Sequence, residues 1–248
     1  MVPAYLIQML REYQYWANSI CAPLQWQNNG GQLHNASITL LRSDGGVLGI
    51  TNKHVSHAIA NCSEEIGNRC QIGGAYLDPG RLAAEHPLVD LATYRLSDFV
   101  VDQIGLMRDG SLGEGSKHRP GSVMTWPPIP PIEGSAVMYG GYPGLFREER
   151  TDGNTDFGFF WFATKVQSVS ITNIGMVADP NNSRSLGTRR VPANADLGGW
   201  SGGSVFRIVD TGLIERLELC GIIYEYSTTT GIVLAHPLTD LNPDGTFG

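Results

Sequence analysis

No stretch of this sequence approaches the roughly 18 consecutive apolar residues that a membrane-spanning helix requires. The N-terminus has no basic segment of the kind that opens a secretion signal. The charged pair at residues 11–12 also interrupts any apolar core that such a signal would need. We therefore expect no membrane partner and a cytoplasmic location.

Cysteine is scarce, with four residues in the chain: Cys21, Cys62, Cys70 and Cys220. Because disulfides are rare in proteins that are not exported, we expect reduced thiols, with a bridge between Cys62 and Cys70 across a short loop as the alternative. None of the Cys and His spacings is typical of a zinc site. No metal and no organic cofactor is expected.

Charge is also sparse, since 17% of the residues are Asp, Glu, Lys or Arg and the net charge is −7. An acidic chain has no general affinity for nucleic acid or for anionic membranes, so nucleic acid is not expected as a partner. Glycine and proline, by contrast, contribute 31 and 14 of the 248 residues. That composition suits a turn-rich β protein, and the length is sufficient to bury a sizeable core.

The sequence divides into four segments. Residues 1–32 predict an amphipathic helix that packs on the rest of the fold, because their apolar residues recur at helical spacing. These residues are Leu6, Met9, Leu10, Tyr13, Ala17 and Ile20. Residues 126–131 are unsuited to a central strand or a helix interior, because proline lacks the N–H donor and fixes φ. This linker separates residues 33–125 from residues 132–248, and both parts contain segments typical of strands.

A serine between glycines is the most informative local feature: Ser201 lies in Gly-Trp-Ser-Gly-Gly at residues 199–203. A serine hydroxyl is a poor nucleophile unless a base takes its proton and backbone N–H groups receive the oxyanion. Flanking glycines let a substrate carbonyl approach the main chain. Upstream, His54 ends one strand-like apolar run and Asp90 precedes another. The order His, Asp, Ser is found in one of the convergent forms of the catalytic triad.

These segments resemble those of the trypsin/chymotrypsin-like serine proteases, above all the compact bacterial trypsin-like peptidases. Residues 49–54, Gly-Ile-Thr-Asn-Lys-His, resemble the family's strand that ends in Thr-Ala-Ala-His. Asp-Leu-Ala at residues 90–92 resembles its Asp-Leu-Ala, and residues 199–203 resemble its Gly-Asp-Ser-Gly-Gly. The resemblance implies an all-β fold of two six-stranded antiparallel β-barrels with an added N-terminal helix. The first barrel would carry His54 and Asp90, and the second Ser201.

The same resemblance implies a serine endopeptidase that cleaves protein or peptide substrates through an acyl-enzyme. Ser201 would attack the scissile carbonyl, His54 would act as general base and then as general acid, and Asp90 would orient His54. The backbone N–H groups of Gly199 and Ser201 would form the oxyanion hole. Because this chain has neither a secretion signal nor an obvious propeptide, we also expect latency until an activating or regulatory protein, or a ligand, binds.

The chain departs from the family at two positions near the site. Trp200 replaces the acidic residue that pairs with a freed N-terminus in zymogen-type members, so activation by that cleavage is not expected. Tyr224 falls where the family often has a serine beside the aspartate, which leaves open how Asp90 is supported.

The resemblance also implies where substrate specificity would arise. The walls of the primary pocket would come from segments before and after the serine, with Asp196, Tyr224, Glu225 and Tyr226 as the substrate-binding candidates. Asp196 or Glu225 could receive a basic side chain, since a carboxylate in a cleft favours a cationic partner. Tyr226 could instead narrow the entrance so that only small side chains enter.

Two other interpretations remain open. Residues 199–203 also fit the Gly-x-Ser-x-Gly nucleophile elbow of α/β-hydrolases, with Asp210 and His236 available downstream in the order Ser, Asp, His. That elbow needs a helix after the serine, whereas residues 204–209 favour a strand. The second alternative is a trypsin-like binding module that has lost its chemistry.

Overall fold

Two β structures follow each other along the chain, and the candidate site residues lie where they meet. The computed structural model describes residues 4–28, 30–63, 70–104, 118–123, 125–151, 155–178, 197–210, 212 and 215–248. Within these ranges the architecture is mostly β, as the sequence predicted.

The first half consists of helix α1 (Ala4–Ile20) and an eight-stranded sheet that carries helices α2 (Lys53–Ser63) and α3 (Asp98–Gln103). Its strands are β1 (Cys21–Gln27), β2 (Leu33–Ser43), β3 (Gly46–Thr51), β4 (Gln71–Ile72), β5 (Ala75–Tyr76), β6 (Leu82–Glu85), β7 (Ala92–Leu96) and β8 (Gly121–Ser122). They lie in the order β5-β4-β1-β2-β3-β7-β6, with β8 pairing in parallel with the end of β2. Residues 44–45 join β2 to β3, whose ends pair at Ser43 and Gly46.

This first sheet is open within the described residues, where the sequence predicted a closed six-stranded barrel. Strands β5 and β6 form the two edges and are not hydrogen-bonded to each other. Strands β4 and β5 contain only two residues each, and a 3₁₀ turn, Pro79–Arg81, connects β5 to β6.

The second half contains the closed six-stranded antiparallel barrel that the sequence predicted. Its strands are β9 (Ala136–Gly141), β12 (Phe160–Val169), β13 (Ile174–Val177), β14 (Ser204–Asp210), β15 (Glu215–Ser227) and β16 (Ile232–Pro237). The barrel order is β12-β13-β16-β15-β14-β9, and β9 pairs with β12 to close it. A separate hairpin, β10 (Arg147–Glu149) with β11 (Thr155–Phe157), is inserted between β9 and β12. A strand, not a helix, therefore follows Ser201.

Helix α1 joins the two halves through apolar contacts. Ala17 and Ile20 are buried in a cluster that also contains residues of both sheets, and the Trp16 ring meets Phe206 edge-on at 5.1 Å. The helix ends at Ile20 and β1 follows at once, so the first sheet begins inside the segment of residues 1–32. Of the helices in the described residues, none combines the length and the apolar composition that crossing a membrane requires.

His118 is a buried polar contact beneath α1. Its Nδ1–H donates to the carbonyl of Asn18 at 3.1 Å, near the end of the helix. Its Nε2 is buried and has no hydrogen-bond partner within the described part of the chain. Burial lowers the pKa of His118 to about 4, although the backbone carbonyls that face the ring act in the opposite direction. The folded protein therefore favours the neutral ring.

We expect His118 to make the fold sensitive to acid. Because its folded-state pKa lies below that of an unfolded histidine, its contribution is present above pH 6.5 and is lost as the pH falls towards 4. At about 1.4 kcal/mol per pKa unit, the free energy of unfolding should fall by about 3 kcal/mol more than in His118→Gln. Urea unfolding at a series of pH values measures this difference, with exposed His57→Gln as the control. Parallel curves for wild type and His118→Gln would contradict it.

Candidate active site

His54 and Asp90 form a two-point contact in the first half of the chain. Helix α2 begins at Lys53, directly after β3, so His54 is presented in its first turn, while Asp90 lies in the loop between β6 and β7. The His54 Nδ1–H donates to Asp90 Oδ2 at 2.6 Å, and the His54 backbone N–H donates to Asp90 Oδ1 at 2.9 Å. Both carboxylate oxygens are therefore used to fix one histidine.

The charge on Asp90 is favoured by this contact. Burial raises the pKa of its carboxyl, but the hydrogen bonds from the His54 ring and backbone outweigh burial and hold the pKa below its usual value. An ionised Asp90 at neutral pH keeps the proton of His54 on Nδ1, which leaves the Nε2 lone pair free to act as a base. The His54 side chain is 54% exposed, so a substrate can reach it.

The main chain of Asp90 is held as firmly as its side chain. Its carbonyl accepts a hydrogen bond from the Asn52 side-chain amide at 2.8 Å. Its N–H donates to Nε2 of His236 at 3.2 Å, across from the second barrel. His236 was not a candidate for supporting Asp90 in the sequence, because nothing in its local context links it to an acid 146 residues away.

Two peptides of the loop around Ser201 have their carbonyls bound, and their N–H groups have no acceptor among the described residues. The Gly198 carbonyl accepts from the Gly144 N–H at 2.6 Å, and the Trp200 carbonyl accepts from the Gly203 N–H at 2.8 Å. In a trans peptide the N–H points away from the carbonyl, so the N–H groups of Gly199 and Ser201 face the opposite way. Among the residues that the structure describes, neither N–H has an acceptor. These are the two donors that the sequence analysis assigned to an oxyanion hole.

Polar side chains on β2 attach this loop to the first half. The Ser37 hydroxyl donates to the Gly199 carbonyl at 2.9 Å, and the Thr39 hydroxyl donates to the Gly202 carbonyl at 3.0 Å. The Ser37 N–H also donates to the Ser201 carbonyl at 2.7 Å. Sequence reasoning missed these residues. The signal that could have found them was the pair of polar residues at alternate positions of a strand whose other buried members are apolar.

Trp200 lies in the core of the second barrel, with 1% of its surface exposed. Its ring meets those of Tyr139, Phe162 and Tyr226 edge-on at 5.6–5.9 Å. The residue before the serine is thus held by apolar burial.

The Ser201 hydroxyl has one hydrogen bond in the described part of the chain. It donates to the Tyr224 carbonyl at 3.5 Å, and no hydrogen bond joins it to the His54 ring. Ser201 is partly exposed, and its loop is anchored by the main-chain contacts above. The nucleophile and the base candidate thus lie on different halves of the molecule.

No family model and no curated protein matches the sequence. The serine endoprotease from Yersinia pestis is similar in structure, with a TM-score of 0.50 and 15% identity over 96% of this chain. This chain spans 63% of that protein's length. A protease from M. tuberculosis in its active form gives a TM-score of 0.48 at 12% identity, covering 95% of this chain and 82% of the other.

The chain has the chymotrypsin-like fold. The resemblance in fold that the sequence predicted is thereby confirmed. Within this chymotrypsin-like fold, His54 and Asp90 belong to the first half and Ser201 to the second, as expected from the order of the three residues along the chain.

The chymotrypsin-like fold separates the residues that the α/β-hydrolase interpretation needs. Asp210 ends β14, and its carboxylate accepts from the Gly212 N–H in the following turn at 2.7 Å. Both ring nitrogens of His236 are bound to backbone groups, one to Thr172 and the other to Asp90. Neither residue contacts Ser201, and the strand after the serine is β14. That interpretation is wrong for this chain.

The substrate-binding candidates lie around the loop that contains Ser201, called the serine loop below. Tyr226 packs against Trp200, and Tyr224 provides the carbonyl that Ser201 contacts. Glu225 lies between them on β15 and is exposed. Asp196 lies outside the described residues. Within the described ranges, no three His, Cys, Asp or Glu side chains come together as a metal site, and Cys62 and Cys70 are free thiols.

Proposed function

We propose that this chain is a serine endopeptidase that uses His54, Asp90 and Ser201. The observation that carries the proposal is the two-point contact of Asp90 with His54, combined with two unpaired N–H donors beside Ser201 in the described part of the chain. A buried histidine with a purely structural role would have both ring nitrogens bound and little exposure. His54 has one nitrogen on Asp90 and an exposed ring, which suits a general base.

The chemistry follows from these positions. Rotation of the Ser201 side chain away from Tyr224 brings its hydroxyl towards His54, whose Nε2 takes the proton as the oxygen attacks the substrate carbonyl. The oxyanion that forms accepts hydrogen bonds from the N–H groups of Gly199 and Ser201, each contributing about 3 kcal/mol. His54 then protonates the leaving amine, and the same base activates the water that releases the acid. Asp90 remains ionised throughout and stabilises the imidazolium.

The substrate in this proposal is a protein or peptide that binds where the two halves meet. Glu225 is exposed and Asp196 precedes the serine loop in sequence, so either carboxylate favours a basic side chain in the substrate. Tyr226 is partly buried against Trp200, which supports its role as a wall of the primary pocket.

Latency is part of the proposal, and Ser201 is the group through which it acts. The Ser201 hydroxyl donates to the Tyr224 carbonyl and has no bond to His54, while the candidate oxyanion donors have no acceptor among the described residues. An activating protein or ligand would therefore act on the serine side chain. The same contact favours the second candidate function, a binding module of chymotrypsin-like fold without chemistry.

Fluorophosphonate labelling separates these candidates, because the reagent phosphonylates only an activated serine. We expect one label per chain by intact mass in the wild type, none in Ser201→Ala or His54→Ala, and wild-type labelling in His57→Ala. His57 is a suitable control because it lies three residues after His54 on α2 and pairs with Glu85 at the surface. Labelling of the wild type only after addition of cell lysate supports latency. No labelling under either condition favours the binding module.

A further inference from the structure

His236 has one ring tautomer that its surroundings determine. Its Nδ1 lies 2.7 Å from the Thr172 carbonyl, which can only accept a hydrogen bond. Its Nε2 lies 3.2 Å from the Asp90 N–H, which can only donate. The proton must therefore be on Nδ1 and the lone pair on Nε2. Burial lowers the pKa of His236, although the Thr172 carbonyl and the Asp90 charge oppose this, so the ring is neutral at neutral pH.

Tyr224 lies flat against this ring. The two ring centres are 4.0 Å apart with an angle of 7° between the planes. The Tyr224 hydroxyl donates to the Asn173 side chain at 2.8 Å, so the adjacent residues Thr172 and Asn173 hold the two stacked rings together. The Tyr224 carbonyl, on the same residue, accepts from the Ser201 hydroxyl. The stacked pair of Tyr224 and His236 on the second barrel thus contacts both Ser201 and the Asp90 loop, which is residues 86–90.

The Asp90 loop depends on contacts of this kind, because residues 86–90 form no helix or strand. His86 orders its first part by accepting from the N–H groups of Leu88 and Val89, both at 3.1 Å. At Asp90 the carboxylate and the carbonyl are bound by groups of the first half, and the N–H is bound by His236. The 89–90 peptide is therefore held from both halves: its carbonyl, on Val89, accepts from the Leu91 N–H at 3.0 Å, and its N–H is bound by His236 of the second barrel.

We propose that His236 is a positioning residue. Its hydrogen bond to the Asp90 N–H orients the Asp90 main chain so that both carboxylate oxygens reach His54, and stacking against Tyr224 keeps the His236 ring in place. The inference rests on the proposed function of His54, Asp90 and Ser201. It also accounts for how Asp90 is supported when Tyr224 stands where the family often has a serine. Such a serine would support the carboxylate of the aspartate, whereas His236 supports its main chain.

Two substitutions at His236 separate its two hydrogen bonds. Glutamine can present an acceptor oxygen near the position of Nε2, whereas asparagine can present a donor near Nδ1 but does not reach Asp90. We expect His236→Asn to lower the rate constant for fluorophosphonate labelling by about 10- to 100-fold, since small misplacements in a triad have effects of this order. His236→Gln should stay within about threefold of wild type. Thermal unfolding of both variants checks that they are equally folded.

The second readout does not depend on catalysis. A proton in a short hydrogen bond between a ring nitrogen and a carboxylate gives a ¹H NMR resonance at unusually low field, and His54→Ala assigns it to the His54 Nδ1–H. We expect this resonance in the wild type and in His236→Gln, and its broadening or loss in His236→Asn. Persistence of the resonance in His236→Asn, or equal impairment of the two variants, would overturn the proposal.

This pair of readouts separates the two proposals. If wild-type protein is never labelled but its low-field resonance disappears in His236→Asn alone, the proposed function fails and the positioning role stands. If the wild type is labelled and both His236 variants match it in rate and in resonance, the function stands and the positioning role fails.

Discussion

Asp90→Asn should lower the rate constant for fluorophosphonate labelling of Ser201 on the order of 10⁴-fold while leaving the fold intact. The reason lies in the His54 backbone N–H, which donates to Asp90 Oδ1 at 2.9 Å and so requires an acceptor oxygen there. The asparagine amide must place its oxygen on that side, and its NH₂ then faces the His54 ring. A donor at that position forces the ring proton from Nδ1 to Nε2, so His54 loses the lone pair that receives the serine proton.

The matched control for this substitution is Asp78→Asn. Asp78 is an exposed aspartate whose Oδ1 caps a turn by accepting from the Gly80 N–H, a role that an asparagine oxygen can also fill. We expect wild-type labelling and stability for this variant. Equal labelling rates for Asp90→Asn and the wild type would show that the Asp90–His54 contact is structural, and the proposed function would lose its main support.

Gly202→Ala should disrupt the serine loop as a whole. Gly202 has φ of +87°, a conformation that side chains disfavour, and an added Cβ would lie 1.8 Å from the Ser37 carbonyl oxygen and 2.5 Å from the Thr51 hydroxyl. Because the Ser37 carbonyl is backbone and accepts from Thr51, the loop itself must move. Strain and overpacking together should reduce the free energy of unfolding by about 3–5 kcal/mol. Labelling should fall at least about 10²-fold, because the oxyanion donors move with the loop.

Gly134→Ala is the control that separates the strain of a positive φ from the steric clash of an added Cβ. Gly134 has φ of +79°, yet nothing lies within 4 Å of its hypothetical Cβ. This variant should lose only about 1 kcal/mol and label at the wild-type rate. Thermal unfolding gives both stabilities, and labelling is compared well below the lower transition. If the two alanine variants are equally stable, the loop does not pack against β2 as closely as described.

The Ser201 loop and the Asp90 loop share one design, in which each half of the molecule orients the other's main chain. From the first half, the hydroxyls of Ser37 and Thr39 bind the carbonyls of Gly199 and Gly202, which attaches the serine loop to β2. From the second half, His236 binds the N–H of Asp90. Substitutions at these positions should therefore affect catalysis without contacting the substrate. The candidate site residues are kept in place by hydrogen bonds that cross between the halves.

Local sequence was sufficient to place His54 and Asp90 beside strand-like segments, Ser201 between glycines, and a helix near the N-terminus. Strand alternation, helical spacing and the glycines around Ser201 each depend on a few neighbouring residues, so they can be recognised without knowing the fold. The resemblance of three short segments then indicated the chymotrypsin-like fold. The openness of the first sheet was not predicted, because the pairing of edge strands depends on residues far apart in the chain.

Only the tertiary structure decided how the candidate site is held. The hydroxyl of Ser37 reaches Gly199 across 162 positions, and Asp90 reaches His236 across 146. No local pattern distinguishes these side chains from other polar residues in strands, because their partners are set by the packing of the two halves. The same holds for Trp200, whose replacement of an acid was visible in the sequence but whose burial in the second barrel was not. The residue types could be read from the sequence, whereas the contacts that orient these side chains depend on the tertiary structure.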